Sequence, residues 1–234
     1  MKDINELIRA QTEARLSVLQ RHLDNGVIFS DPASTFVDES VVIGAGARIG
    51  ANCHLRGATV IGAGAQIGEN NLITDSEIGE GATVLCSVLV SARVGKHTQV
   101  GPFAYLRPGA EAGENCRIGD FVELKNAKLG DGTKVSHLTY VGDAELGRDC
   151  NVGCGVVFAN YDGEKKARSV VGDECFLGSN CNLVAPVRVG DRSYIAAGTT
   201  LTKDVEPDSF MIGRVRQEKL DLRGRYRNRT EEKK

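Results

Sequence analysis

An aliphatic residue returns at every sixth position through long stretches of this chain. Ile43, Ile49, Leu55, Ile61, Ile67 and Ile73 form one unbroken series. Val171, Leu177, Leu183, Val189, Ile195 and Leu201 form a second. Val94, Val100 and Leu106, then Leu146, Val152 and the aromatic Phe158, keep the spacing between them. Six is neither the period of a helix nor that of a two-faced sheet. A repeat this short marks a solenoid, in which each unit buries its apolar residue only against its neighbours.

A hexad fits a short strand plus a corner, with one bulky side chain turned inward. Three hexads close a triangular coil of about eighteen residues, and coils stack by strand-type hydrogen bonds at ~4.8 Å each. Residues 43–201 then make about nine coils, less their loops, at that spacing. Glycine usually follows the aliphatic residue, which suits a corner needing positive φ or close backbone approach. A thin prism leaves little room for large rings, and the chain has no tryptophan and 5% aromatic residues.

Three segments are predicted. Residues 1–26 hold Ile4, Leu7, Ile8, Leu16, Leu19 and Leu23 at helical spacing, closed by Asn25-Gly26. This helix is placed to cap the open end of the solenoid, whose unpaired edge would otherwise invite association. Residues 27–206 form the solenoid. Residues 207–234 form a basic arm, with nine Lys or Arg against four Asp or Glu from 214 onward. Such a stretch reads either as a solvated tail or as an arm reaching an anionic ligand or a neighbouring subunit.

A net charge of -2 gives no global basic field for nucleic acid. No apolar run reaches membrane-spanning length, and Met1-Lys2-Asp3 does not open a signal peptide, so a cytoplasmic location is expected. The seven cysteines, which include no CxxC pair, read as small, half-buried fillers in a reducing compartment.

The repeat breaks where chemistry is expected. Phe158 to Val171 is thirteen residues rather than twelve, and the segment holds Asn160-Tyr161-Asp162-Gly163, then Lys165, Lys166 and Arg168. A polar, glycine-turned insertion in a rigid scaffold is a loop of the kind that carries function. Upstream, Arg107, Lys125, His137 and Tyr140 replace small residues. Arg107 and Lys125 are one coil apart and should lie side by side. Each alone reads as a solvated surface charge; their shared register gives a phosphate seat equal weight, with Tyr140 as a further donor. His137 fits a general base, with Glu123 fourteen residues back as the carboxylate that sets its tautomer. His22, His54, His97 and His137 lack metal-ligand spacing, so no metal is expected.

Six blocks occur in one order: Gly101-Pro-Phe-Ala-Tyr-Leu-Arg-Pro-Gly109, Gly119-Asp-Phe-Val-Glu-Leu-Lys125, Ser136-His-Leu-Thr-Tyr-Val-Gly-Asp-Ala144, Asn160-Tyr-Asp-Gly163, Leu183-Val-Ala-Pro-Val187 and Ile195-Ala-Ala-Gly-Thr-Thr200. Together they resemble the acetyltransferase half of the bacterial bifunctional enzymes that make UDP-N-acetylglucosamine. The likeness runs from the first helix to about Gln217. It implies a left-handed parallel β-helix of hexapeptide repeats that forms a homotrimer with sites at its subunit seams.

The activity so implied is glucosamine-1-phosphate N-acetyltransferase, with acetyl-CoA as donor. His137 falls at the family's catalytic base and Glu123 at a carboxylate near it. Arg107, Lys125, Tyr140 and Asn151 fall at its amino-sugar phosphate positions. Asn160, Tyr161, Ser179, Ala197 and Arg214 fall at its coenzyme A positions, and Arg214 would reach a neighbouring chain. Cys154 stands at a further coenzyme position where the family usually has alanine, and its bulk narrows the acyl pocket. The family's uridyltransferase half has no counterpart, so neither UTP-dependent activity nor a magnesium requirement is expected; a separate protein could supply that step. The alternatives are a same-fold acetyltransferase acting on galactosamine 1-phosphate, or a non-catalytic solenoid that binds nucleotide sugar or regulates a separate uridyltransferase.

Overall fold

The computed structural model describes residues 3–219, and the remainder of the predicted basic arm, residues 220–234, lies outside them. The helix Ile4–Asp24 is followed by a parallel β-solenoid of about ten turns running from Ile28–Phe29 to Phe210–Met211. One wall is an eleven-stranded sheet. The other two are joined in a seventeen-stranded sheet by long strands such as Glu123–Leu129, which pairs with Tyr105–Leu106 and with Glu111–Ala112.

The six-residue series are the core. Ile49, Leu55, Ile61, Ile67, Ile73, Leu106, Leu177, Leu183 and Ile195 are all buried, as is Phe158. Most two-residue strands expose the first residue and bury the second, so a hexad contributes one bulky inward side chain, with a small buried residue such as Ala47 or Cys53 two positions before it. Most glycines after the aliphatic residues serve close approach, not positive φ; Gly101, at φ 100°, is an exception. A Cβ on Gly50 would lie 2.5 Å from the Gly68 carbonyl carbon of the next coil. Left-handed backbone falls two residues further on, at Asn52 and Asn70 among others.

Corners also explain the cysteines. Thr98, Cys116, Thr133 and Cys150 occupy one buried corner on successive coils. Thr98 Oγ1 donates to the Gly113 carbonyl (2.7 Å) and Thr133 Oγ1 to that of Gly147 (2.7 Å). Cys116 Sγ and Cys150 Sγ point at the Gly130 and Gly172 carbonyls in the same way. They are small fillers that also meet a backbone acceptor.

Coil length is uneven, and this positions the site. Arg48 lies against Gln66, Lys134 against Asn151 and Asn151 against Phe176, separations of eighteen, seventeen and twenty-five residues. The long step contains the loop after Asn160. Pairing also runs past residue 206: Phe210–Met211 pairs with Tyr194–Ile195, so the last strand uses the start of the predicted arm.

The helix caps the N-terminal end by burying Leu19 and His22, while Arg15 donates to the Ala33 carbonyl (2.7 Å). Both ring nitrogens of His22 are buried without a hydrogen-bond partner. Burial, and then the neighbouring Arg21 charge, push its pKa down. A histidine held neutral in the folded state contributes stability at neutral pH that is lost as pH falls through its unfolded value near 6.5. His22→Leu is therefore expected to flatten the fall in Tm between about pH 7 and pH 5. Parallel curves for the two proteins would show that the cap does not sense pH through this ring.

Candidate active site

The site forms at one corner of the prism, where the eleven-stranded wall meets the next. His137 ends the strand Lys134–His137, in register with Asp120. Cys154, Ser179 and Ala197 follow His137 in that corner on successive coils, as the registers on the eleven-stranded wall require. The Asn180 N–H donates to the Cys154 carbonyl and the Gly198 N–H to the Ser179 carbonyl, each at 2.8 Å. All four side chains are exposed. Three coil steps separate His137 from Ala197, roughly 14 Å at strand spacing. Arg214 ends the line, its guanidinium donating to the Ala197 carbonyl of its own chain.

His137 Nδ1 lies 2.7 Å from Asp120 Oδ1. An ionised carboxylate can only accept, so Nδ1 carries the proton and Nε2 keeps its lone pair. The same bond holds the Asp120 carboxyl below the usual carboxylate range. Asp120 therefore takes the role expected of Glu123. The reason is register. Coils here are seventeen residues long, and Glu123 stands opposite Tyr140, around the corner from His137. Glu123 instead pairs with Arg107, at 2.8 Å.

Asp120→Ala should shift His137 toward the Nε2–H tautomer in ¹⁵N NMR, whereas Glu123→Gln should leave the tautomer unchanged. An unaltered His137 spectrum in the Asp120 variant would contradict this assignment.

Arg107, Lys125, Glu123 and Tyr140 share the adjoining wall. The Arg107 N–H donates to the Leu124 carbonyl on the next coil, which places Arg107 beside Lys125 as the eighteen-residue spacing predicts. Tyr140 folds over Gly142, where a Cβ would lie 2.3 Å from the Tyr140 hydroxyl. A side chain at Gly142 would push that ring away. Lys125 Nζ lies 3.0 Å from Asp143 Oδ2, and Asp143 also accepts from Asn126 and Asn160.

The loop is held at both ends. The Ala167 N–H returns to the Asn160 carbonyl (2.9 Å), and Arg168 pairs with Glu145 (3.1 Å). Within it Asp162 Oδ1 accepts from the N–H groups of Glu164 and Lys165, and the Tyr161 hydroxyl donates to the Gly163 carbonyl. Asn160 is buried; Tyr161 is exposed. Asn151, by contrast, is exposed on the eleven-stranded wall, across the corner from Arg107, Lys125 and Tyr140. Within one chain it does not join them.

Asp120 and Asp143 are the site residues that the sequence reading missed. Their signal was coil spacing: Asp120 is seventeen residues before His137, and Asp143 is eighteen after Lys125 and seventeen before Asn160.

Residues 40–75 match the bacterial transferase hexapeptide family (six repeats), and residues 169–203 match the hexapeptide repeat of succinyl-transferase. The bifunctional protein GlmU of Clostridium botulinum is 47% identical over 91% of this chain and 46% of its own length. The GlmU of Clostridium perfringens is 48% identical over 92% of the chain and 48% of its own length. The chain thus spans about half the length of these curated relatives. Among solved structures, the Arabidopsis UDP-N-acetylglucosamine acyltransferase shares the fold, with a TM-score of 0.55 at 19% identity, covering 74% of this chain and 67% of that one. The chain carries hexapeptide transferase repeats, and its sequence is similar to the C-terminal half of the GlmU bifunctional proteins.

Proposed function

We propose that this chain transfers acetyl from acetyl-CoA to the amine of glucosamine 1-phosphate. The observation that carries the reading is the single exposed corner holding His137, Cys154, Ser179 and Ala197, flanked by Arg107 and Lys125. An extended pantetheine arm lies naturally along such a corner. Its thioester would sit beside Cys154 and His137, and its phosphates near Arg214, whose fork suits them.

Chemistry follows from the pairing at His137. A protonated amine has no lone pair with which to attack. His137 Nε2 takes a proton from the sugar amine, whose nitrogen attacks the thioester carbonyl carbon. The nitrogen of the adduct still carries one proton more than the amide keeps, and that proton passes to water; the tetrahedral intermediate then collapses, the C–S bond breaks, and the proton on Nε2 goes to the departing thiolate. Backbone N–H groups at the corner stabilise the oxyanion. Asp120 steadies the imidazolium formed along the way. Arg107 and Lys125 hold the phosphate, so binding energy from a remote group orients the amine. Both remain able to do so while ion-paired, because an ammonium has three donors and a guanidinium five.

Assembly as a homotrimer completes the proposal. Phe103, Phe121 and Leu138 line the same corner in left-handed conformation at 59%, 60% and 60% exposure, a backbone state that large apolar residues rarely adopt. A second copy covering this seam would bury them and bring a neighbour's Asn151 or arm to the site.

The test is free-thiol release from acetyl-CoA across glucosamine 1-phosphate, galactosamine 1-phosphate and unphosphorylated glucosamine. Strong release with the first and weak release with the other two is expected. Equal rates with and without phosphate would overturn the acceptor assignment.

A further inference from the structure

Asp143 serves both halves of the proposed reaction without touching the reacting atoms. It lies in the strand Tyr140–Leu146, buried, at φ 46°. Its two oxygens are used differently. Oδ1 accepts from Asn126 Nδ2 at 2.6 Å. Oδ2 accepts from Lys125 Nζ at 3.0 Å and also from Asn160 Nδ2. Lys125 belongs to the proposed phosphate seat, and Asn160, across the adjoining wall from the donor line, is the base of the loop whose Asn160 and Tyr161 fall at coenzyme positions by the family resemblance. Burial opposes ionisation of Asp143, but the bonds from Asn126, Lys125 and Asn160 outweigh it and hold the carboxyl below its usual range.

We propose that Asp143 is a positioning residue through which an occupied sugar-phosphate seat tightens binding of the acetyl donor, an inference that rests on the acetyltransferase reading above. Two donors compete for one oxygen. A phosphate dianion draws the Lys125 ammonium toward itself, and the ammonium's hold on Oδ2 weakens. The lone pairs of Oδ2 then turn to Asn160. Asn160 closes the loop through the Ala167 N–H, so a firmer bond there steadies the loop that presents Tyr161. Linkage makes the effect reciprocal: donor binding tightens acceptor binding by the same factor.

The experiment is titration calorimetry with coenzyme A, which lacks an acetyl group and cannot react, with and without saturating glucosamine 1-phosphate. The acceptor should improve coenzyme A affinity about fivefold or more in the wild-type protein. Asp143→Asn should bring that factor close to 1. Asparagine tolerates the left-handed backbone at this position, so the coil is preserved. Asn126→Gly, which suits the left-handed backbone there and leaves Oδ2 untouched, should keep the wild-type factor. Should Asp143→Asn fail to fold, the factor is read in Asn160→Ala, where it should also be near 1. Independent binding in the wild-type protein, or undiminished coupling in Asp143→Asn or Asn160→Ala, overturns the inference while leaving the acetyltransferase reading intact. Failure of the wild-type protein to bind either ligand overturns both.

Discussion

His137→Ala is expected to lower turnover about 10²- to 10⁴-fold, the usual contribution of a general base. The expectation follows from geometry. Asp120 occupies Nδ1, so the free lone pair is on Nε2, and the ring is exposed at the corner rather than packed into the core. Removing it costs the fold little and the chemistry much. Coenzyme A affinity should stay near the wild-type value, because the donor line runs along Cys154, Ser179 and Ala197. Turnover within a few-fold of the wild type would remove His137 from the mechanism.

The second large effect concerns the phosphate seat, where the two cations should behave differently. A hydrogen bond to a charged group contributes about 1.5–3 kcal/mol, so either alanine variant should lose roughly 10- to 150-fold in kcat/KM for glucosamine 1-phosphate. Stability separates them. Arg107→Ala leaves Glu123, whose side chain is 37% exposed, with water to replace its partner. Lys125→Ala leaves Asp143, whose side chain is 12% exposed, with one charged donor fewer in a drier place. Lys125→Ala should therefore also lower Tm, while Arg107→Ala should not. Equal Tm losses would mean that the two ion pairs are alike in solvation.

Much of this fold is legible in the sequence because a solenoid writes its geometry as a period. Each hexad places one bulky side chain inward, so Ile43 to Ile73 and Val171 to Leu201 announce themselves. Register is harder to read. A polar residue acts on its neighbour one coil away, and coils of seventeen, eighteen and twenty-five residues move that neighbour along the chain. Glu123 is nearer to His137 in sequence, but one coil length leads to Asp120. Asp143 carries no motif of its own and is recognisable only as the residue one coil from Lys125, Asn126 and Asn160. The left-handed Phe103, Phe121 and Leu138 were illegible for the opposite reason, since their residue types argue against the conformation they adopt.

Mass and NMR analysis of the product formed from acetyl-CoA and glucosamine 1-phosphate tests the central claim most directly. The account predicts one added acetyl group, attached to the amine nitrogen, with one equivalent of free thiol released and product absent in His137→Ala. Unmodified sugar despite demonstrated binding of both ligands, or acetylation on a hydroxyl oxygen, would contradict it.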